Sequence, residues 1–285
     1  MPTAIWWVRR DQRLNDNDAL RTALETCDAV VPVFILDPAL LTASDVSPRR
    51  VAFMLGGLAA LDADLRTRGS RLVVRRGAPG DELARLVAET GAVAIYAEAD
   101  PWPYGRRRDA AVAATLPLHL TTGITVWPAD TVMKADGTPY TVFTPYSRAW
   151  RTLPPPTPAE LWSPPDRLPA LPDNLLGLSV PVEPAPPGGA LFVPGEAEAL
   201  RRLAAFAGGS DAPIGRYDAE RNRMDLDGTS QLSPYLRFGM ISARRAAVAA
   251  RSVIDGPGPG ARKGAETWYS ELIWREFYID RKSVV

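Results

Sequence analysis

The sequence contains a single cysteine and a single histidine in 285 residues. One cysteine, Cys27, excludes an internal disulfide framework and is typical of a reducing compartment. Because Cys27 follows an amphipathic helix pattern, we expect its thiol to pack rather than react. With His119 as the single histidine, a metal site built on histidines and a Ser-His-Asp triad are both disfavoured.

Long apolar runs, net charge and nucleotide fingerprints are also missing. No run approaches the roughly 20 apolar residues that span a bilayer, and the N-terminus has a strand pattern rather than that of a signal peptide. The net charge is +0, so charge alone does not indicate a nucleic-acid partner. The absence of G-x-G-x-x-G after the first strand disfavours a nicotinamide dehydrogenase. We therefore expect a cytoplasmic protein without a membrane segment or a metal.

Strand and helix patterns alternate five times over the first 130 residues. Strands are predicted at residues 5–8, 29–36, 72–74, 93–97 and 125–127. The helices between them include one with Asp16 or Asn17 as N-cap and one that begins at Ser47-Pro48. This order predicts an α/β fold, with a Rossmann-like parallel five-stranded sheet and helices on both faces, followed by a partial all-α domain.

The second half begins with a segment of unusual composition. Between Leu153 and Gly195 lie 13 of the 28 prolines, which predicts an extended connector across the surface. Residues 139–146 have a strand-like pattern before it. Helical periodicity follows, with Ser242 as one N-cap, and the glycine-rich residues 256–264 are interpreted as a surface loop. We expect an α/β domain over 1–130, a connector over 131–195 and part of an all-α domain over 196–285.

Three polar segments follow the predicted strands, at residues 9–17, 36–48 and 98–108. Ligands of open parallel sheets bind beyond the carboxyl ends of the strands. Residues 98–108 combine acidic groups, aromatic rings and three arginines, which suits an anionic or polycyclic ligand. A turn followed by a basic helix start explains the same residues without a ligand.

Two motifs in the helical region carry candidate chemistry. In residues 228–235, hydroxyl side chains lead into a helix that we expect Ser233 to cap, which suits a phosphate or pyrophosphate. In residues 268–278, a predicted helix places Trp268, Glu271, Arg275 and Tyr278 on one side, which suits a flat aromatic ligand with polar edges. The simpler alternatives are an ordinary Ser-Pro cap and an amphipathic helix with a solvated Glu-Arg pair.

Taken together, residues 7–17, 140–146, 217–242 and 268–278 resemble four motifs of the photolyase/cryptochrome family in their order. The resemblance implies a deoxyribodipyrimidine photo-lyase, which uses light and reduced FAD to repair cyclobutane pyrimidine dimers in DNA. Two alternatives stay open. One is a cryptochrome-like flavin photoreceptor without repair activity, and the other is an inactive fragment that retains only a chromophore-binding α/β module.

The resemblance also assigns roles to individual residues. Glu271 and Trp274 are implied as the catalytic pair that binds the base edge and stacks on the flipped dimer, and Arg221 and Arg275 as further DNA contacts. The implied FAD-binding residues are Tyr217, Thr229, Ser230, Gln231, Leu232, Ser233 and Trp268.

Further expectations also come from the resemblance. Residues 102–106 are more similar to members with a flavin or deazaflavin antenna than to those with a folate. Gln231 stands where an arginine is frequent. Family members continue well beyond residue 285, so we expect a truncated photolyase that lacks the second half of its FAD pocket. Full-length members are expected to act on dimer-containing DNA as monomers.

Overall fold

One parallel sheet organises the first part of the chain. The computed structural model describes residues 2–42, 46–172, 175–184 and 191–283. The strands are β1 (Thr3–Val8), β2 (Ala29–Leu36), β3 (Val73–Arg76), β4 (Ala94–Glu98) and β5 (Leu118–Thr121). Their spatial order is β3-β2-β1-β4-β5, and every pairing is parallel. The order reverses between β1 and β4, which is where open α/β sheets form their ligand crevice.

Helices cover the sheet and build the second part of the chain. Those of the first part are α1 (Asp18–Thr26), α2 (Pro38–Leu41), α3 (Pro48–Thr67), α4 (Pro79–Thr90) and α5 (Pro103–Ala113). They are followed by α6 (Phe143–Trp150), α7 (Glu196–Ala207), α8 (Tyr217–Glu220), α9 (Ser233–Phe238), α10 (Ala243–Ile254) and α11 (Pro259–Ser283). Two 3₁₀ turns lie at Pro158–Glu160 and Pro213–Arg216.

Alternate residues of β1 point to opposite faces of the sheet. Trp6 packs in a cluster with Leu58 of α3, whereas Trp7 packs in a second cluster with Leu86 of α4. All four side chains are at most 2% exposed. Burial on both faces explains why the strands form continuous apolar runs. The predicted fold class, with a five-stranded parallel sheet and helices on both faces, is confirmed.

The predicted fifth strand at residues 125–127 is wrong. The fifth strand is β5, which pairs with β4 at the edge of the sheet, and its residues His119 and Leu120 are exposed. An exposed edge strand needs no apolar run, so its sequence signal was weak. Val126 instead lies in the core of the helical segments, where its backbone N–H donates to the Glu276 carboxylate at 2.9 Å.

Two other local predictions need correction. Helix α11 begins at Pro259, so most of residues 256–264 is helical rather than a loop. Gly264 is required by packing, because a Cβ there would lie 2.3 Å from the carbonyl oxygen of Ile214. Residues 139–146 do not form a strand either: Met133 and Pro139 form an isolated bridge, and α6 begins at Phe143.

The proline-rich connector crosses the surface of the sheet domain, as its composition predicts. It is attached at defined points: the N–H of Leu178 donates to the Val74 carbonyl at 2.8 Å, and the Trp162 carbonyl accepts from the N–H of Asp16 at 2.8 Å. Leu168 is buried. The connector therefore follows the surface as an attached strap, while the division at residues 130 and 195 remains a prediction.

The loop after β1 joins the sheet to the helices. Arg13 donates to the Gly239 carbonyl at 3.2 Å, and Asp16 pairs with Arg244 at 2.8 Å. Glu196, on α7, accepts from the backbone N–H of Leu14 at 2.7 Å. Buried charges are costly unless they are paired in this way. These contacts fix how the sheet and the helical segments are oriented.

Candidate functional site

A cleft of about 640 Å³ opens between α8, α9, α11 and the edge of the sheet domain. The seven residues predicted to bind the cofactor all line it, although they come from three separate segments. The lining comprises Arg10, Trp102, Tyr217, Thr229, Ser230, Gln231, Leu232, Ser233, Leu236, Arg237, Trp268, Glu271, Leu272, Arg275, Tyr278 and Ile279. Folding thus brings the two motifs of the helical region to one site.

The segment before α9 presents free backbone donors to the cleft. Gln231 has a φ of +50°, whereas Leu232 lies in the right-handed region at φ −86° and ψ −5°. Alternation of this kind turns successive N–H groups toward one concavity, which favours anions. Within the residues that the structure describes, the N–H groups of Gln231, Leu232 and Ser233 donate no hydrogen bond. This cradle suits a phosphate.

Ser233 does not cap α9, contrary to the sequence prediction. Leu232 is the residue before the helix, and no side chain closes its first turn. The hydroxyl of Ser233 is therefore free to face a ligand. Ser242 does cap α10, accepting from the N–H of Arg245 at 3.0 Å. A serine therefore caps the start of α10 but not the start of α9.

Gln231 is held by its neighbours on both sides of its amide. Its Oε1 accepts from Arg202 at 2.7 Å, and its Nε2 donates to Asp227 at 2.7 Å. These two hydrogen bonds hold the Gln231 side chain, and with it this part of the cradle, through an uncharged amide. Arg202, on α7, brings a guanidinium to this side chain, although Arg202 itself does not line the cleft.

Aromatic rings form the inner wall. Trp268 is 4% exposed, and its ring lies 5.2 Å from that of Phe206, which in turn contacts Tyr217 edge-on at 5.9 Å. Burial, and then the charge of Glu271, raises the pKa of Tyr217. A flat apolar ring system would find a dry, rigid surface here.

An acid-base pair stands at the rim. The carboxylate of Glu271 accepts from the Arg221 guanidinium at 2.5 Å, and both side chains remain partly exposed. Arg221 does not itself line the cleft, but it orients the carboxylate that does.

Trp274 and Arg275 are placed differently from the expected substrate contacts. Trp274 is absent from the lining of the cleft and instead stacks on Phe143 and Tyr278. Arg275 lines the cleft, but its guanidinium donates to the carbonyls of Ile124 at 2.8 Å and Leu236 at 3.3 Å. Burial lowers its pKa.

The sheet domain contributes residues that sequence reasoning did not assign to the site. Arg10 lies over the Trp102 ring at 3.7 Å, and Arg237 approaches the same ring at 5.4 Å. Burial, and then the nearby charge of Arg237, lowers the pKa of Arg10 to about 9. The polar segments after β1 and β4 gave a signal for Arg10 and Trp102, but nothing in the sequence connected them with α11.

Comparison with known proteins places this chain in a family. The family model for DNA photolyase matches residues 4–164, more than half of the chain. The chain belongs to the DNA photolyase family. It is 36% identical to an uncharacterised 31.6 kDa protein of Synechococcus, over 97% of this chain and 99% of that protein. It is 39% identical to the deoxyribodipyrimidine photo-lyase of Thermus thermophilus, over 97% of this chain and 60% of that enzyme.

A solved photolyase shares the architecture. The class III photolyase of Agrobacterium tumefaciens matches with a TM-score of 0.86 at 27% identity, over 99% of this chain and 59% of that one. The chain thus spans about 60% of the length of these two photolyases.

A second crevice of this photolyase-family chain lies at the carboxyl ends of β1 and β2, with a volume of about 300 Å³. Arg10 and Arg237 line it as well as the cleft, so they form a wall shared by both. Its apolar lining includes Phe34 and Phe238, and Arg50 adds a further positive charge. Here the predicted polar segments meet: Tyr104 donates to the carboxylate of Asp37. Residues 43–45 lie outside the described residues.

The described part of the chain has neither a membrane span nor a metal cluster. Among the helices described, none combines the length and apolarity needed to cross a bilayer. The described residues contain no group of three or more histidine, cysteine or acidic side chains arranged to hold a metal ion.

Proposed function

We propose that this chain holds FAD in the cleft between α8, α9 and α11, and that it serves the light-dependent repair of cyclobutane pyrimidine dimers in DNA. The observation that carries the proposal is the convergence of all seven candidate cofactor residues on one cleft. Membership of the DNA photolyase family supports the same cofactor.

The chemistry of the cleft fits FAD. The free N–H groups of residues 231–233 would hold its phosphates, and the hydroxyls of Thr229, Ser230 and Ser233 would add donors. Trp268 and Tyr217 would hold the flavin rings in an apolar environment. The reduced flavin supplies the electron when it absorbs light, and the residues of the chain bind it, orient it and exclude water.

The rim of the cleft would recognise the lesion. A dimer must leave the duplex before it can be repaired, and an aromatic platform with hydrogen bonds to the base edge makes this less costly. Glu271, oriented by Arg221, would bind the base edge. Trp274 lies beside the cleft and stacks on Tyr278, which lines it. Once Tyr278 is displaced, Trp274 would supply a stacking surface worth about 1–3 kcal/mol per base, and Arg275 would lie near the substrate strand.

We further propose that the second crevice holds a light-harvesting chromophore of the flavin or deazaflavin type. Arginines Arg10, Arg50 and Arg237 surround it, with Asp37 and Asp100 as acidic groups. Such a lining suits a polycyclic ring that carries a negative charge. We propose a division into an antenna domain (1–130), a connector (131–195) and an FAD-binding segment (196–285), which the two sites support. We propose a cytoplasmic location and a monomeric state.

The absorption spectrum of the purified chain tests the proposal. The chain is mixed with excess FAD, passed through gel filtration and scanned in the visible range, where we expect a structured flavin band to coelute with the protein. Irradiated oligothymidylate is then incubated with the reduced complex under blue light or in darkness, and the dimers are counted.

The outcomes separate the alternatives. Retained flavin with light-dependent loss of dimers supports repair. Retained flavin with no loss supports a cryptochrome-like photoreceptor instead. Absence of retained flavin contradicts the proposed cofactor site and leaves the chromophore-binding α/β module as the alternative.

A further inference from the structure

Phe143 and Trp274 form the closest ring stack of the described residues. The ring centroids are 3.5 Å apart, and the planes differ by 7°. Phe143 is the first residue of α6, and Trp274 lies in α11, 131 positions later. One face of the indole is therefore covered by a ring from a distant segment of the chain.

Other rings fix the orientation of this stack. Phe277 meets both members edge-on, at 5.9 Å and 71° from Phe143 and at 5.8 Å and 77° from Trp274. Tyr278 lies nearly parallel to Trp274, at 5.6 Å and 24°, and is half exposed. Because Tyr278 lines the cleft, the stack leads from the core to the edge of the candidate site.

The helix that carries Phe143 is itself tied to α11. The hydroxyl of Tyr146 donates to the carboxylate of Asp280 at 2.8 Å, and its ring lies 5.2 Å from that of Phe277. Tyr146 is 2% exposed. Phe143 therefore approaches Trp274 from a helix that is anchored to α11 on the same side, which restricts rotation of the indole.

We propose that Phe143 is a positioning residue for Trp274. It covers one face of the indole and fixes its plane, so that a flipped base that displaces the half-exposed Tyr278 meets the ring in a single orientation. This inference rests on the proposed role of Trp274 as a stacking platform. Phe143 would act through Trp274 and would not itself touch the base.

A purely structural role predicts something different. If Phe143 only filled space, leucine or methionine would replace it with little effect on the indole, because both are apolar and of similar volume. If it positions the indole, the loss of the flat ring should change the environment and mobility of Trp274, and tyrosine should restore them.

Fluorine NMR of the chain labelled with 5-fluorotryptophan gives a readout that needs no cofactor. The signal of Trp274 is identified by its loss in Trp274→Phe. Loss of the ring at position 143 shifts this signal in any case, so the readout is its linewidth. We expect Phe143→Leu to broaden the signal while the other tryptophan signals keep their widths, and Phe143→Tyr to retain its width. Phe53→Leu is the matched control, since Phe53 contacts Tyr235 and Phe238 in the same core cluster. If Phe143→Leu reduces the yield of folded protein, Phe143→Met takes its place.

Binding connects the signal with the proposed function. We expect Phe143→Leu to weaken binding of a dimer-containing oligothymidylate by about two- to tenfold, with Phe143→Tyr and Phe53→Leu near the wild type. If Trp274→Ala does not weaken binding, the proposed role of Trp274 is wrong. If Trp274→Ala weakens it but Phe143→Leu leaves both binding and the width of the Trp274 signal unchanged, the positioning inference is wrong.

Discussion

The carboxylate of Glu271 lies 2.5 Å from the guanidinium of Arg221, and the side chains are 40% and 38% exposed. The pair connects α11 to Arg221, the residue that follows α8. Ion pairs at such exposure contribute about 0–1 kcal/mol to stability. The contact therefore serves to aim the carboxylate more than to stabilise the fold.

Glu271→Gln separates the contribution of the ion pair to stability from the contribution of the carboxylate to DNA binding. We expect the free energy of unfolding in urea to fall by less than about 1 kcal/mol, while affinity for a dimer-containing oligonucleotide falls by roughly ten- to a hundredfold, as for a charge-assisted hydrogen bond of about 1.5–3 kcal/mol. Glu25→Gln is the control, because the Arg21–Glu25 pair is similarly exposed and lies on α1. Equal binding by both variants would contradict the role of Glu271.

Ser233→Ala and Ser242→Ala should give opposite results. Ser242 caps α10 and also donates to Asp16 at 2.5 Å, so its loss should lower the free energy of unfolding by about 1–2 kcal/mol. Ser233 makes no capping bond, so its loss should change stability little. Flavin retained after gel filtration should fall with Ser233→Ala and stay unchanged with Ser242→Ala. A reduction in flavin with Ser242→Ala alone would argue against the phosphate cradle.

Gly239→Ala tests how the helices dock on the sheet domain. Gly239 has a φ of +65°, and a Cβ there would lie 1.8 Å from the carbonyl oxygen of Arg10. Gly91 has a φ of +64°, and a Cβ there would meet no atom of the described residues around it within 4 Å. Gly91→Ala should cost about 1–2 kcal/mol from the backbone alone. Gly239→Ala should lower the free energy of unfolding in urea by roughly 3 kcal/mol or more, because the loop after β1 must move. If the two variants lose equal free energy, the close approach of Gly239 to Arg10 is wrong.

Glu276 should make stability depend on pH. Burial raises the pKa of this carboxyl to about 8, well above its value in the unfolded chain. The folded state therefore keeps a proton that the unfolded state loses, and stability falls as pH rises from about 4.5 to about 8. Urea unfolding at about pH 5.5, 7.0 and 8.5 should show a smaller decline for Glu276→Gln than for the wild type. If the stability of the wild type and that of Glu276→Gln fall equally as pH rises, other groups cause the pH dependence.

Local sequence was sufficient for much of the sheet domain. Apolar runs such as that of β2 and caps such as Asn17, which accepts from the N–H of Leu20 at 2.9 Å, are set by neighbours in the chain. The sequence did not predict β5, because an exposed edge strand has no strong apolar pattern. The apolar pattern around Val126 was interpreted as the fifth strand instead, although Val126 is buried for a different reason. Its burial comes from α11, about 150 residues later.

Part of the candidate site could likewise be predicted from local sequence, and part could not. Motif spacing and the family resemblance predicted candidate site residues in α11 and the 228–235 segment, because a helix and a turn are local structures, and their roles stay predictions. It could not show that Arg10 and Trp102 complete the cleft, or that Phe143 covers a face of Trp274. The hydroxyl of Ser233 also looked like a cap, and its freedom depends on where α9 begins.

The sequence by itself determined the alternation of strands and helices, the extended connector and the residue types of the phosphate cradle and the aromatic wall, because each depends on neighbours a few positions away. Tertiary structure alone decided which of those residues meet. The Arg10–Trp102 contact, the Phe143–Trp274 stack and the docking of Gly239 on the loop after β1 join segments more than 90 residues apart. Their physical causes are the pairing of β1 with β4, the packing of α6 on α11 and the docking of α9 on the loop after β1, and none of these is encoded by a local pattern.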